Sequence, residues 1–147
     1  MGLTPQLAAT LLCLLVCAGN FAHGCNSENL AEIIHILNRL TSKGTPCTEM
    51  LVPDVFTETK NTTEEKILCR TQKVLRKFYN SHIPCLKNNT LVLKDLQKVY
   101  RIVCSMSQLR NCTVSESTQI TLKTFLESLK RMMQKKYNSA EAECLNL

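Results

Sequence analysis

Apolar residues recur at three- and four-residue spacing in four stretches of the chain, the period of one buried face of an α-helix. We predict helices over residues 27–40, 63–79, 90–104 and 118–137. The apolar stripes are Leu30, Ile33, Ile34, Leu37 and Leu40; Ile67, Val74, Leu75 and Phe78, with Leu68 at the edge; Leu93, Leu96, Val99, Tyr100 and Val103; and Leu122, Phe125, Leu126, Leu129, Met132 and Met133. Four such stripes predict an all-α domain closed around one interior.

The connections between these helices predict the topology. Gly44 and Pro46 end the first helix, and Thr62 with Glu65 fits a capping box at the start of the second. A helix over 27–40 is about 21 Å long, which an extended chain covers in about seven residues. The first and third connections are longer than that and the second is short, which is typical of an up-up-down-down four-helix bundle. Residues 50–52 and 113–114 are predicted to pair as a small ribbon between the long connections.

The first 24 residues have the features of a secretory signal peptide. They contain no charged side chain, and an apolar run from Leu7 to Cys17 is followed by Ala22-His23-Gly24, with small residues where a signal peptidase requires them. We therefore predict a signal peptide at 1–24, one folded domain at 25–147, and a secreted, extracellular protein.

Cysteine usage agrees with secretion. Cys13 and Cys17 would leave with the signal peptide, so seven of the nine cysteines remain, and no C-x-x-C pair is among them. A small secreted chain with this many cysteines is expected to have a disulfide framework, here with one thiol left over. The spacing alone leaves the connectivity open.

Three N-x-S/T tripeptides begin at Asn61, Asn88 and Asn111. In a chain with a signal peptide they predict glycosylation at exposed positions. The third has Cys112 as its middle residue, which disfavours modification.

Composition argues against catalysis and leaves binding as the mode of action. Residues 25–147 contain only His35 and His82, and the chain has no phosphate loop, nucleophile elbow or H-E-x-x-H motif. We predict a non-enzyme with no cofactor or metal. The net charge of +6 suits acidic partners, so the alternatives are a heparin- or matrix-binding module and a small ribonuclease-like hydrolase.

Several segments together resemble the interleukin-4 family of short-chain four-helix cytokines, in a rodent-like form. They lie in order along the chain and include matching cysteines. The segments are Met1-Gly2-Leu3 with Ala18-Gly19-Asn20-Phe21, Thr45-Pro46-Cys47-Thr48-Glu49-Met50, Asn61-Thr62-Thr63-Glu64, Cys69-Arg70, Val74-Leu75-Arg76-Lys77-Phe78-Tyr79 and Phe125-Leu126-Glu127-Ser128-Leu129-Lys130. The resemblance implies the disulfides Cys47–Cys85, Cys69–Cys112 and Cys25–Cys144. Cys104 leaves an alternative, in which Cys25 pairs with Cys104 and Cys144 is the remaining thiol.

The resemblance also implies two binding faces. A receptor α chain would contact the first and third helices at Glu32, Arg101, Lys94 and Lys98. The basic residues share one side of the helix, although such a row is often only a solvated surface. A second, shared receptor subunit of the common gamma chain type would contact the first and fourth helices at Tyr137, Ile34, Asn38 and Gln134. From the pattern alone, Ile34 and Tyr137 could instead belong to the core.

The function implied by the resemblance is extracellular signalling to immune cells, with B-cell activation and type 2 helper T-cell responses. The protein would act as a monomer that joins two receptor chains, without binding nucleic acid or inserting into a membrane. A sibling cytokine resembling interleukin-13 is the nearest alternative within the same class.

Overall fold

A computed structural model describes residues 27–57, 62–80, 83–109 and 111–145 of the chain, with side chains up to residue 140. The predicted signal peptide, Asn61 and His82 lie outside the described residues, as do Cys25 and the side chain of Cys144. In chain order the elements are α1 (Ser27–Leu40), β1 (Leu51–Pro53), α2 (Glu64–Asn80), α3 (Pro84–Lys87), α4 (Thr90–Met106), β2 (Gln119–Thr121) and α5 (Leu122–Leu145). The prediction of a mainly helical domain is confirmed.

The helix boundaries follow local capping. α1 has the predicted limits, whereas α2 begins one residue later than predicted, and the Thr63 Oγ1 accepts a hydrogen bond from the Lys66 backbone N–H at 3.3 Å. The capping box of Thr62 with Glu65 stays a prediction. α5 begins later than predicted because the residues before it form β2, and the Thr121 Oγ1 accepts from the Thr124 N–H at 3.2 Å.

Contacts between helix ends give the direction of each helix. α1 and α5 are antiparallel. Thr41, directly after the end of α1, bonds to Lys130 in the first half of α5, whereas Ala31, near the start of α1, borders the same depression as Tyr137 in the second half of α5. α2 and α4 are also antiparallel, since Arg76 bonds to the Tyr100 hydroxyl at 3.4 Å and the later Tyr79 bonds to the earlier Gln97 carbonyl at 3.3 Å.

An ion pair between α5 and α2 relates the directions of these two helix pairs. The Lys136 Nζ on α5 lies 2.9 Å from the Glu64 carboxylate at the start of α2, so the later part of α5 lies beside the beginning of α2. α2 and α5 are thus antiparallel, which makes α1 parallel to α2 and α4 parallel to α5. This is the predicted up-up-down-down arrangement.

The core follows the predicted stripes with a few exchanges. Its buried apolar members include Leu37, Leu75, Val99, Phe125 and Leu126 from the four long helices. Ile34, Ile67, Leu93 and Met132 are only half-buried, while Ile36, Leu68 and Leu86 are buried. These differences arise because each helix has neighbouring helices on both sides of its stripe. Whether a residue at the edge of the stripe is buried depends on which neighbour is closer.

The small ribbon exists, but its second strand was predicted in the wrong place. β1 pairs antiparallel with β2, with Leu51 opposite Thr121 and Pro53 opposite Gln119. Residues 113–114 do not pair with β1 because this segment is held against α2 instead. The Arg70 Nε donates to the Thr113 carbonyl at 3.2 Å, and the Lys73 Nζ donates to the Cys112 carbonyl.

Two disulfides attach the long connections to the bundle. Cys47 is bonded to Cys85 across a sequence separation of 38 residues, and Cys69 to Cys112 across 43. These are the two pairings that the resemblance implied. Each stabilises the fold by about 4 kcal/mol if the gain is treated as loss of chain entropy in the unfolded state.

Cys104 is buried in α4 and is also disulfide-bonded. The four other described cysteines bond to each other, so its partner lies outside the described side chains. Within residues 25–147 this leaves Cys25 or Cys144 as the partner, and either choice excludes the bond between Cys25 and Cys144. Of the two we propose Cys25, the alternative given in the sequence analysis.

Thiol labelling of oxidised residues 25–147 tests this pairing. We expect one label per molecule, at Cys144, and none in Cys144→Ser, which should keep the melting temperature of the unsubstituted protein. Cys104→Ser should lower it, because a buried bond is lost. A peptide map that joins Cys25 to Cys144, or a label on Cys104, would contradict the pairing.

Candidate functional site

A row of exposed side chains runs along the outer side of α4. Lys94, Lys98 and Arg101 are all exposed and, at spacings of four and three residues, share one side of the helix. Leu91 continues the row by one turn and is 78% exposed. Leu91 was not among the predicted site residues, because a leucine near the apolar stripe of a helix is usually part of the core.

α1 contributes the opposite charge to the same side of the bundle. Glu32 is exposed. Arg39, about two turns further along α1, binds Asp95 of α4. The Arg39 Nη2 and Nε lie 2.9 Å and 3.3 Å from the two carboxylate oxygens. This pairing raises the pKa of Arg39 above its usual value through the hydrogen bond and the charge of Asp95. The forked contact links α1 to α4 at the edge of the basic row.

The Arg39–Asp95 contact also gives the level of Glu32. Glu32 lies seven residues before Arg39 on α1, which is about 10.5 Å along the helix axis. Because α4 is antiparallel to α1, the matching position on α4 is seven residues after Asp95, at Ile102. Glu32 therefore lies at the level of Arg101. We call the surface formed by Glu32, Lys94, Lys98 and Arg101 the α1–α4 face.

Arg101 lies near Tyr79, at the α2 side of the α1–α4 face. The rings of Tyr79 and Tyr100 are 5.1 Å apart, and Tyr100 is buried. Burial raises the pKa of Tyr79, and the nearby charge of Arg101 opposes that rise. Gln97 is uncharged and half-buried, and its backbone carbonyl accepts a hydrogen bond from the Tyr79 hydroxyl at 3.3 Å.

The four residues predicted for a second receptor subunit line one groove between α1 and α5. Ile34, Asn38, Gln134 and Tyr137 border a depression of about 330 Å³, which we call the α1–α5 groove. Ile34 and Tyr137 are half-buried and pack against the core, whereas Asn38 and Gln134 are exposed. The groove thus has an apolar floor and an amide rim.

Three further residues line this groove and were missed by the sequence analysis: Ala31, His35 and Asn138. Ala31 and His35 lie within one turn of Ile34 and Asn38, so helical spacing could have indicated them. Asn138 follows Tyr137 directly and becomes visible only once α5 extends past residue 137, which the sequence did not predict.

The described residues contain no cluster of three or more His, Cys, Asp or Glu side chains with the arrangement of a metal centre. In the same part of the chain, no helix has the length and apolar character needed to cross a bilayer.

Comparison with known proteins agrees with the fold. The model of the Interleukin 4 family matches residues 25–138. Interleukin-4 of Mesocricetus auratus is 59% identical over 139 residues, which cover 93% of this chain and 95% of that protein. Interleukin-4 of Rattus norvegicus is 58% identical with the same coverage, and that of Mus musculus is 51% identical over 140 residues, 94% of this chain and 100% of the relative. With a family model that matches residues 25–138 and relatives at these identities, the chain belongs to the interleukin-4 family.

Proposed function

We propose that this cytokine is secreted, binds a specific receptor α chain through the α1–α4 face, and recruits a second shared receptor subunit of the common gamma chain type through the α1–α5 groove. The observation that carries the proposal is the grouping of the eight candidate residues into two surfaces. Four lie on the α1–α4 face, and the other four line one groove.

The chemistry of the α1–α4 face suits a partner with complementary charges. Glu32 offers a carboxylate, and Arg101 offers a guanidinium that can bind a carboxylate through two parallel hydrogen bonds. Lys94 and Lys98 extend the positive field along α4 and would speed association with an acidic surface. Leu91 adds an apolar contact at the end of the row.

The α1–α5 groove suits a different kind of contact. Its half-buried Tyr137 and Ile34 offer an apolar surface, and the amides of Asn38 and Gln134 can bind polar groups at the rim. Tyrosine residues in such positions often contribute much of the binding energy of an interface. On binding, the large ring is removed from water while the side chain loses little rotamer freedom.

Both partners can bind at once because α1 serves the two surfaces with opposite sides. Glu32 and Ile34 are two residues apart, which on an α-helix corresponds to a rotation of about 200°. A receptor subunit on one side of α1 therefore does not cover the other. The protein acts as a bridge, and catalysis is left to the receptors' own partners inside the cell.

Assembly on purified receptor ectodomains tests the proposal. The cytokine should bind the α chain alone with one-to-one stoichiometry, and the second subunit should join only the preformed pair. Recruitment of the second subunit without any α chain, or a failure of the α chain to bind a correctly oxidised and helical protein, would refute it.

The exposed basic row on α4 also supports a second candidate, the binding of a sulfated polysaccharide. We expect binding to an immobilised heparin fragment to fall at least tenfold between 50 and 300 mM salt, because exposed charges are screened at higher ionic strength. Binding to the α chain should fall less, because contacts inside a dry interface are shielded from salt. Equal salt dependence for both partners would favour the polysaccharide as the true ligand of this surface.

A further inference from the structure

Two of the three candidate glycosylation tripeptides lie among the described residues, and one of the two contains a disulfide-bonded residue. Asn88-Asn89-Thr90 contains no cysteine, whereas Asn111-Cys112-Thr113 has a disulfide-bonded residue at its centre. Asn111 and Thr113 are both exposed. Asn88 and Thr90 are exposed as well, so the atoms that a glycosyltransferase needs are accessible at either tripeptide.

The backbone of the Asn111 tripeptide is attached to α2 at consecutive residues. The Cys112 carbonyl accepts from the Lys73 Nζ, and the Thr113 carbonyl accepts from the Arg70 Nε at 3.2 Å. The Cys112 sulfur is bonded to Cys69, which is only 1% exposed. One covalent bond and two charge-assisted hydrogen bonds thus hold the segment against the helix.

Transfer of a glycan requires this segment to leave the helix. The Asn111 side-chain nitrogen must attack the anomeric carbon of a lipid-pyrophosphate-linked oligosaccharide; a C–N bond forms, the lipid pyrophosphate leaves, and the amide loses a proton. The transferase has to surround the tripeptide to align these groups. A backbone held along α2 cannot enter such a site, and the disulfide prevents its release.

We propose that Asn111 accepts a glycan only while the Cys69–Cys112 bond is open, so that closure of this bond ends modification of the site. The inference rests on the secretion proposed above but not on either receptor contact. Because Asn111 is exposed, a glycan added early does not block the bond. Folded molecules with and without this glycan therefore arise from one chain, in a ratio set by the relative rates of transfer and oxidation.

Site occupancy in secreting cells tests the inference. We expect Cys69→Ser to raise the glycosylated fraction at Asn111 at least threefold, measured by mass spectrometry of the tripeptide-containing peptide. A mild reductant during synthesis of the unsubstituted chain should have the same effect. Asn88 serves as the internal reference, and its occupancy should stay unchanged in Cys69→Ser.

A matched variant separates the specific bond from general misfolding. Cys47→Ser opens the other described disulfide, Cys47–Cys85, and should leave Asn111 at its original occupancy. An equal rise in Cys47→Ser would attribute the effect to slow folding and overturn the inference. Unchanged occupancy in Cys69→Ser would overturn it as well.

A second measurement uses the folded protein directly. Unglycosylated, oxidised protein is mixed with microsomal transferase and the lipid-linked oligosaccharide, and the same protein is tested after reduction. We expect modification at Asn111 only in the reduced sample. Modification of the oxidised sample at a comparable rate would show that the bond does not protect the site.

Discussion

Arg101→Glu should weaken binding to the receptor α chain at least 100-fold, which corresponds to about 2.8 kcal/mol. The expected loss is large because the substitution removes a guanidinium and puts a carboxylate opposite whatever acidic group binds it. Breaking a charge pair inside a dry interface costs about 2–5 kcal/mol, mostly because the remaining charge loses its partner. Titration calorimetry or surface plasmon resonance with the purified α-chain ectodomain measures the change.

The fold should survive this substitution because Arg101 is exposed. Its helix is held by the buried Val99 and Val103 on the opposite side. Lys135→Glu makes the same change of charge at an exposed position of α5, and we expect it to retain affinity within threefold. If Arg101→Glu binds within tenfold of the unsubstituted protein, Arg101 is not a main contact of the α chain.

Tyr137→Asp should suppress signalling while the α chain still binds normally. The half-buried ring forms part of the floor of the α1–α5 groove, and a carboxylate there would have to lose water when a second subunit covers it. We expect recruitment of that subunit to the cytokine–α-chain complex to fall at least 50-fold. Phosphorylation of a downstream transcription factor in responsive cells should fall in parallel.

A change at a nearby position controls for the added charge. Ser139 is exposed on α5 two residues beyond Tyr137, about 200° around the helix, so Ser139→Asp adds the same charge on another side. It should signal normally. If Tyr137→Asp lowers α-chain binding and recruitment equally, the substitution has disturbed the fold, and thermal denaturation would show the loss of stability.

The periodic apolar pattern predicted the helices well because each long helix buries one continuous stripe. α1 has the predicted limits, and its stripe lies in the core apart from Ile34. Ile34 departs from the pattern because it faces the α1–α5 groove. The sequence shows that Ile34 lies near the apolar stripe, but the packing of α5 against α1 determines whether its side chain is buried.

The position of β2 could not be predicted from periodicity. Residues 113–114 and 119–121 are both short and contain a β-branched apolar residue, so local preference does not separate them. The choice depends on Arg70 and Lys73, which reach from α2 to the carbonyls of residues 112 and 113. Those basic residues lie outside the predicted apolar stripe of α2, and only the folded chain shows that they hold this segment.

The candidate site, too, was only partly predictable before the fold was known. The resemblance supplied Glu32 and Arg101, and the level of both residues follows from the Arg39–Asp95 contact. That contact joins residues 56 positions apart, and no local pattern indicates such a pair. Leu91 and Asn138 were missed for related reasons, since one depends on exposure and the other on the length of α5.

The segment held along α2 makes one side of the molecule suitable for attaching a probe. Ser115, Glu116 and Ser117 are exposed, and they lie between the anchored residue Thr113 and the start of β2. α1 takes part in both proposed receptor surfaces, whereas α2 is packed beside α4 and bonded to α5 on the other side of the bundle. A dye, a biotin or a short peptide inserted at residues 115–117 would therefore point away from both receptor chains, so that their arrival could be followed on a single immobilised cytokine.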